Sequence, residues 1–242
     1  MTPEDLVHDV TTALPGKILS AILYGSAAAG DHVPGTSNYN VLLIVDRLGL
    51  AELDALSEPA QRWARAGNRP PLLFAHGQLE SSADVFPIEI LDMRQSRRVL
   101  FGEDALAGIA IDHEHLRLQI ERDLKAKLLV LREGYLLTGG KRAAVLELLT
   151  SSVAGFLVLF RAALRLFQDE VPAHKLDALQ LLTGHIKFDP HPLREVDALR
   201  HRRRKPREVV AETLFESYLT TIQQVVDAID RHLHREQGDV TS

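Results

Sequence analysis

Two short polar motifs near the N-terminus have residue types suited to binding a phosphate. Gly25-Ser26 follows the apolar run Lys17–Tyr24, and Asn38 and Asn40 open a second apolar run. Backbone N–H groups just after a glycine can approach phosphate oxygens closely, and the Ser26 hydroxyl adds a donor. Side chains two residues apart on a strand point to the same side, so the two asparagines are expected to face one ligand. The same residues also suit a turn and a cap that bond the local backbone.

The stretch Leu23–Val45 resembles the signature of the nucleotidyltransferase superfamily, the polymerase-β-like fold. That signature is a strand, Gly-Ser, a spacer of similar length and then Asp-x-Asp opening the next strand. Gly25-Ser26 matches its first part, and Ser37 stands where many members have a serine. The resemblance implies a nucleotide triphosphate as ligand, ATP above others, with Mg²⁺ as cofactor in an active enzyme. It also implies a helical bundle after the first domain, as in aminoglycoside nucleotidyltransferases.

The family's third carboxylate lies on a later, neighbouring strand, and the resemblance implies Glu89 or Asp92 in that role. Both residues fall within Val85–Met93, which we predict to be a strand with Pro87 near its start. The expected metal ligands are therefore Asn38, Asn40 and Glu89. The expected catalytic residue is Glu89 or Asp92. Glu89 has a second interpretation, as a solvent-facing residue of an alternating strand.

Asn38 and Asn40 stand where the family has two aspartates. An asparagine oxygen is neutral, whereas Mg²⁺ sheds water reluctantly and relies on carboxylates. Losing two formal charges beside divalent ions should weaken their binding by an amount on the order of several kcal/mol. Asn40 also cannot act as a base. We therefore predict a nucleotide-binding protein whose metal-dependent nucleotidyl transfer is impaired or lost.

Two other functions stay open on the residues alone. An active transferase would move a nucleoside monophosphate from ATP to a hydroxyl of a small molecule or protein, with Glu89 or Asp92 as metal ligand or base. An interaction or antitoxin-like module would act through the helical bundle instead.

A basic run precedes the last predicted helix. It has six Lys or Arg within eight residues: Arg200, Arg202, Arg203, Arg204, Lys205 and Arg207. Such a run could hold a phosphate, a nucleic acid or an acidic partner. No aromatic residue interleaves it and acids flank it, which favours a solvated segment between helices. Arg194 and His201 are weakly similar to the Arg–His motif of HEPN ribonucleases, a match that any segment rich in Arg and His makes easily.

Hydrophobic patterning divides the chain near residue 100. We predict a nucleotidyltransferase-like α/β or α+β domain over 1–100, with a mixed sheet and flanking helices, and a helical bundle over 101–240. The predicted strands are 17–24, 40–46, 71–75 and 85–93, with a helix over 50–67. Helices are predicted after Asp112, over 141–167, over about 171–185, and after Pro206. The expected site is the cleft at the domain junction.

Composition excludes several kinds of protein. The 242 residues include no cysteine, which excludes a disulfide framework, a thiolate zinc site, an iron–sulfur cluster and a cysteine nucleophile. The net charge of −5 argues against the whole chain binding a polyanion. The acidic N-terminus lacks an apolar signal core, so we expect a cytoplasmic protein. The apolar stretch Ala143–Phe160 contains Glu147 and is predicted to be a buried bundle helix rather than a membrane span.

Overall fold

The computed structural model describes residues 1–29 and 38–238, and the side chains up to residue 231. Ser37 lies outside the described residues. The chain divides into two compact units, Met1–Asp112 and His113–Ser242. The first unit is built on a four-stranded mixed sheet with flanking helices, and the second is helical. The predicted fold class is therefore confirmed.

The sheet of the first unit has the strand order β3-β2-β1-β4. Its strands are β1 (Ile18–Tyr24), β2 (Asn40–Val45), β3 (Leu72–Ala75) and β4 (Arg97–Gly102). β1 is antiparallel to both β2 and β4, whereas β2 and β3 are parallel. The first three strands lie within one residue of the predicted bounds.

Apolar side chains cover both faces of this sheet. The unit's helices are α1 (Pro3–Ala13), α2 (Leu50–Arg65), α3 (Gln78–Ser81) and α4 (Pro87–Gln95). On one face Leu23 and Leu43 pack in a cluster with Leu6 of α1 and Trp63 of α2. The other face has its own cluster, which joins Ile22, Leu42 and Ile44 to Leu79 of α3 and to Ile90 and Met93 of α4. Alternation along the strands supplies both faces because successive side chains point to opposite sides.

The predicted strand over 85–93 is wrong, because this segment contains α4. Pro87 occupies the first helical turn, where its missing N–H leaves no helical hydrogen bond unmade. Pro87, Ile90 and Met93 are buried at a spacing of three residues, which is a helical rather than a strand period. The fourth strand is β4, which follows directly and was not predicted. Its two leading arginines and its mostly exposed side chains hide the apolar pattern of a strand.

The first compact unit extends to Asp112. β4 continues to Gly102, and Leu106 and Ile109 are buried in the cluster beneath α4.

The second unit is a bundle organised around one apolar helix. Its helices are α5 (His113–Thr138), α6 (Arg142–Leu164), α7 (Lys175–Leu182), α8 (His191–Arg200) and α9 (Ala211–Gly238), with a short 3₁₀ helix at Pro206–Glu208. α6 packs against the other four α-helices. Within the described residues α6 is also the one helix long and apolar enough to cross a membrane, with 39% of its most apolar stretch buried inside the protein. α8 was not predicted; its Pro192 is tolerated in the first helical turn.

Candidate functional site

A tight turn follows β1 and carries Gly25 and Ser26. Gly25 has a φ of 79°, a left-handed conformation that glycine adopts without strain. Its N–H donates to the Ser96 carbonyl at 2.8 Å, so this N–H is not offered to a ligand. Its carbonyl accepts from Ala28 and Ala29, both at 3.0 Å, which closes a helical turn.

The N–H groups that remain available are those of the next two residues. Ser26 and Ala27 donate their backbone N–H groups to no acceptor within the described residues. The Ser26 side chain is exposed beside them. Two adjacent N–H groups and a hydroxyl at one turn can together hold the oxygens of a phosphate.

The side chain of Asn40 lies against this turn, whereas Asn38 is more exposed to solvent. Asn40 is paired with Tyr24 in the sheet and is half-buried. Its side-chain nitrogen Nδ2 would lie 3.2 Å from a Cβ built on Gly25, so the amide lies directly against the glycine. Asn38 is exposed and lies two residues before Asn40, the first residue of β2. The structure thus brings Gly25 and Asn40 into direct proximity, as the sequence suggested, with Ser26 on the same turn.

A cation lies beside the same end of the sheet. The parallel register of β2 and β3, in which Leu42 is opposite Leu72, puts the loop before β3 next to the start of β2. Asn68 of this loop accepts the Tyr39 N–H at 3.1 Å. Burial raises the pKa of Tyr24, and the positive charge of the neighbouring Arg69 opposes that rise. Arg69 is exposed and makes no ion pair within the described residues.

Sequence reasoning missed Tyr24 and Arg69 as members of this site. Arg69 lies two residues after Gly67 and directly before two prolines, a context that indicates only a loop. The signal appears once β2 and β3 are known to be parallel, because their register then fixes which loop adjoins Asn40.

The two candidate acids are placed on a helix and not on a sheet strand. Glu89 is exposed on α4 and Asp92 is half-buried one turn later, so both lie on one side of that helix. The strand that adjoins β1 on this side is β4, and it carries Arg97 and Arg98 but no carboxylate. Arg97 is itself paired with Asp104, at 2.7 Å between Nη2 and Oδ2. The expected strand position of a third carboxylate is therefore not occupied by Glu89 or Asp92.

The described residues do not assemble a divalent metal site. Within residues 1–29 and 38–231, no group of three or more His, Asp or Glu side chains converges. Asn38 and Asn40 offer neutral oxygens, which suit Mg²⁺ poorly without carboxylates beside them. This donor set therefore does not fit the two-metal chemistry that the family resemblance implies.

The basic run belongs wholly to the second unit. Its residues extend from the end of α8 through the loop to the 3₁₀ helix. Arg203 and Arg204 pair with Asp197 and Glu195 of α8. The remaining cations, Arg200, Arg202, Lys205 and Arg207, are exposed and make no ion pair with any residue the structure describes. Arg194 donates to Gln180 at 2.8 Å, and His201 lies against Asp197.

A search of solved structures places this architecture beside a known enzyme. The chain is similar to spectinomycin adenyltransferase AAD(9) from Enterococcus faecialis, whose crystal structure contains ATP and spectinomycin. The TM-score is 0.51 at 12% identity, and the match covers 94% of this chain and 98% of the other. At this identity the likeness establishes the fold, which is nucleotidyltransferase-like over nearly the whole chain. No protein-family model matches the chain, and no curated sequence does.

Proposed function

We propose that this protein binds a nucleotide triphosphate, ATP above others, without a divalent metal and with nucleotidyl transfer impaired or lost. The observation that carries the proposal is the direct approach of the Asn40 amide to Gly25. The resemblance to the nucleotidyltransferase signature implies a carboxylate at the position of Asn40 in active members. An amide there supplies hydrogen-bond donors to a phosphate instead of charge to a metal.

The charges around this end of the sheet favour an anion. Two neutral asparagines replace two carboxylates, and Arg69 brings a cation with no ion pair among the described residues. A guanidinium binds phosphate through charge-assisted hydrogen bonds. The N–H groups of Ser26 and Ala27 and the Ser26 hydroxyl add neutral donors beside it. Such a donor set neutralises part of the triphosphate charge that Mg²⁺ would otherwise balance.

Transfer needs more than binding, and the described residues lack the rest. The attacking hydroxyl needs a base, which Asn40 cannot be. Glu89 and Asp92 lie on α4 and not on the strand at which the resemblance places the family's third carboxylate, the one that holds the metal for the nucleophile. We therefore expect the nucleotide to be bound intact.

The decisive experiment combines a binding assay and a transfer assay on the same purified protein. ATP labelled at the α-phosphate is incubated with Mg²⁺ and with spectinomycin, the ligand of the similar enzyme, and adenylated product is sought by chromatography. We expect ATP to bind in the presence of a chelator and no labelled product to form. Metal-dependent adenylation of spectinomycin, of the protein itself or of another hydroxyl would overturn the proposal and establish the active transferase.

A further inference from the structure

The basic run forms one wall of an open groove of about 720 Å³ in the helical unit. One side is formed by the end of α8 and the loop after it, which contribute Leu199, Arg200, Arg202 and Lys205. The other side is formed by α6, which contributes Leu146 and Glu147. Hereafter this is called the basic groove. It lies entirely within the second unit, whereas the turn at Gly25 belongs to the first.

The loop that carries the cations is held in a defined shape. Arg202 donates its N–H to Leu199, and Arg203 donates its N–H to Ala198 at 2.8 Å, the two hydrogen bonds of a Schellman motif. Arg142 of α6 donates to the carbonyls of Pro206 and Val209 from the other side. The cations are therefore presented by an ordered cap and not by a loose linker.

Arg202 occupies the position in this cap that glycine normally fills. Its φ is 58°, and among the described residues it alone, apart from glycines, has a positive φ. An L-residue with a side chain is strained in this conformation. The arginine therefore sits where a glycine would make the fold more stable, which indicates that its side chain has a use other than stabilising the cap. That side chain lines the groove and has no ion pair within the described chain.

The character of the groove selects among anionic ligands. Leu146, Leu199 and Pro206 give it apolar surface, and Arg200, Arg202 and Lys205 provide unneutralised positive charge. The backbone N–H groups of residues 202, 203 and 204 are used in the cap, and the Lys205 N–H donates to Glu208. Thr150 and Ser151 donate their hydroxyls to carbonyls of α6. The described part of the chain therefore places no converging set of free backbone or hydroxyl donors around a compact phosphate.

A nucleic acid fits this lining less well than a peptide does. Among the described residues no aromatic side chain lines the groove for stacking, and Glu147 opposes a uniformly anionic polymer. A peptide segment can instead place carboxylates against the cations and apolar side chains on the floor. Arg203 and Arg204 already pair with carboxylates of α8, so the loop shows this mode of pairing within the chain.

We propose that the basic groove is a docking site for a segment of a partner protein that combines acidic side chains with large apolar side chains such as leucine. Arg202 is a specificity residue for this segment. Carboxylates of the segment bind Arg200, Arg202 and Lys205, and its apolar side chains contact Leu146, Leu199 and Pro206. The nucleotide site of the first unit is not required for this interaction.

The test starts from a phage library of short random peptides selected on the full-length protein. We expect enriched peptides that combine Asp or Glu with Leu, Ile or Phe, and synthetic copies are then measured by fluorescence anisotropy. R202G should weaken the selected peptide about tenfold. The same change should raise the melting temperature by about 2–4 °C, because the strain at position 202 is removed. R200Q/K205Q, which breaks no ion pair among the described residues, should also weaken binding.

R207Q is the matched control, because it removes one exposed charge of the same run without altering the lining of the basic groove. It should change the affinity by less than about twofold. Enriched peptides without acidic residues, or equal binding by R202G and wild type, would overturn the proposal. A third outcome would also overturn it: an oligonucleotide or tripolyphosphate binds wild type, binds R202G more weakly, and displaces the selected peptide from the wild-type protein. ATP affinity, measured on the same variants, should not change, which separates this test from that of the proposed function.

Discussion

The side-chain amide of Asn40 lies against Gly25, with Nδ2 3.2 Å from the position a Cβ would take on the glycine. Both residues sit where β1 and β2 end their pairing at Tyr24 and Asn40. The turn that follows β1 and the first residue of the neighbouring strand thus form one small polar surface. Because the strand residue is an amide, this surface can donate hydrogen bonds without a metal.

Replacing Gly25 by alanine should damage this surface. The added Cβ meets the Asn40 amide at a distance shorter than ordinary contact, and a φ of 79° strains any L-residue by about 1–2 kcal/mol. We expect a loss of stability of that size and weaker ATP binding. Trp63, the single tryptophan, is buried in the first unit, so its fluorescence during urea unfolding reports on this unit. G16A is the matched control, since Gly16 also has a positive φ and no atom near its Cβ position, and it lies before β1 at the end of that strand away from Gly25. Equal ATP affinity in G25A and G16A would show that Gly25 does not contact the ligand.

Replacing Asn40 by aspartate should make nucleotide binding depend on metal. A carboxylate beside the phosphates repels them, so in a chelator we expect ATP to bind N40D at least about tenfold more weakly than wild type. Adding Mg²⁺ should recover much of this loss, and N38D/N40D should respond more strongly still. Q61E, at an exposed position of α2, adds the same charge and should leave ATP affinity unchanged. If N40D binds ATP as wild type does in both buffers, Asn40 does not adjoin the phosphates.

Removing the charge of Arg69 should weaken nucleotide binding directly. R69Q loses a charge-assisted contact to phosphate, and we expect an affinity about tenfold lower, measured by calorimetry. R65Q serves as the control, because Arg65 is also exposed and lies at the end of α2. The difference in affinity between R69Q and wild type should shrink as salt concentration rises, since screening weakens the charge contact that only wild type makes. Identical affinities for R69Q and R65Q would remove Arg69 from the site.

The helical unit should lose stability in alkali through Tyr218. Burial raises the pKa of Tyr218 well above its ordinary value of about 10, and its hydroxyl lies 3.1 Å from Ser152 Oγ. The unfolded chain therefore releases this proton at a lower pH than the folded chain does. The stabilisation is complete below about pH 10 and falls above it by up to about 1.4 kcal/mol per pH unit.

Y218F isolates this contribution. It should cost about 1 kcal/mol at neutral pH, because the hydrogen bond to Ser152 is lost. Above pH 10 the difference between wild type and variant should narrow, as followed by circular dichroism during urea unfolding. A difference that stays constant to the highest accessible pH would contradict the assignment.

Local patterning predicts three of the four strands and the long helices. Ile18–Tyr24 and Asn40–Val45 are uninterrupted apolar runs, and the face of α5 repeats at helical spacing, so each element carries its own signal. α4 was mistaken for a strand because its nine residues contain too few turns to display a period. The placement of Glu89 and Asp92 failed with it. β4 and Arg69 could not be found locally, because pairing with β1 and the register of β3 determine their roles.

The proximity of the Gly25-Ser26 turn to Asn40, the first residue of β2, could be predicted from sequence, because the family pattern that they resemble encodes a long-range contact. The basic groove could not, since it arises only when α6 packs beside the cap of α8. The run of charges in the sequence shows neither which arginines are neutralised nor that Arg202 takes a strained conformation. Both facts depend on tertiary structure.

Calorimetric titration of ATP into the purified protein, once with excess chelator and once with Mg²⁺, tests the central claim most directly. We predict binding in chelator with an affinity within about threefold of that in Mg²⁺, because amides, backbone N–H groups and Arg69 hold the phosphates. Binding that appears only with Mg²⁺ would contradict the account and show that the two asparagines still support a metal site.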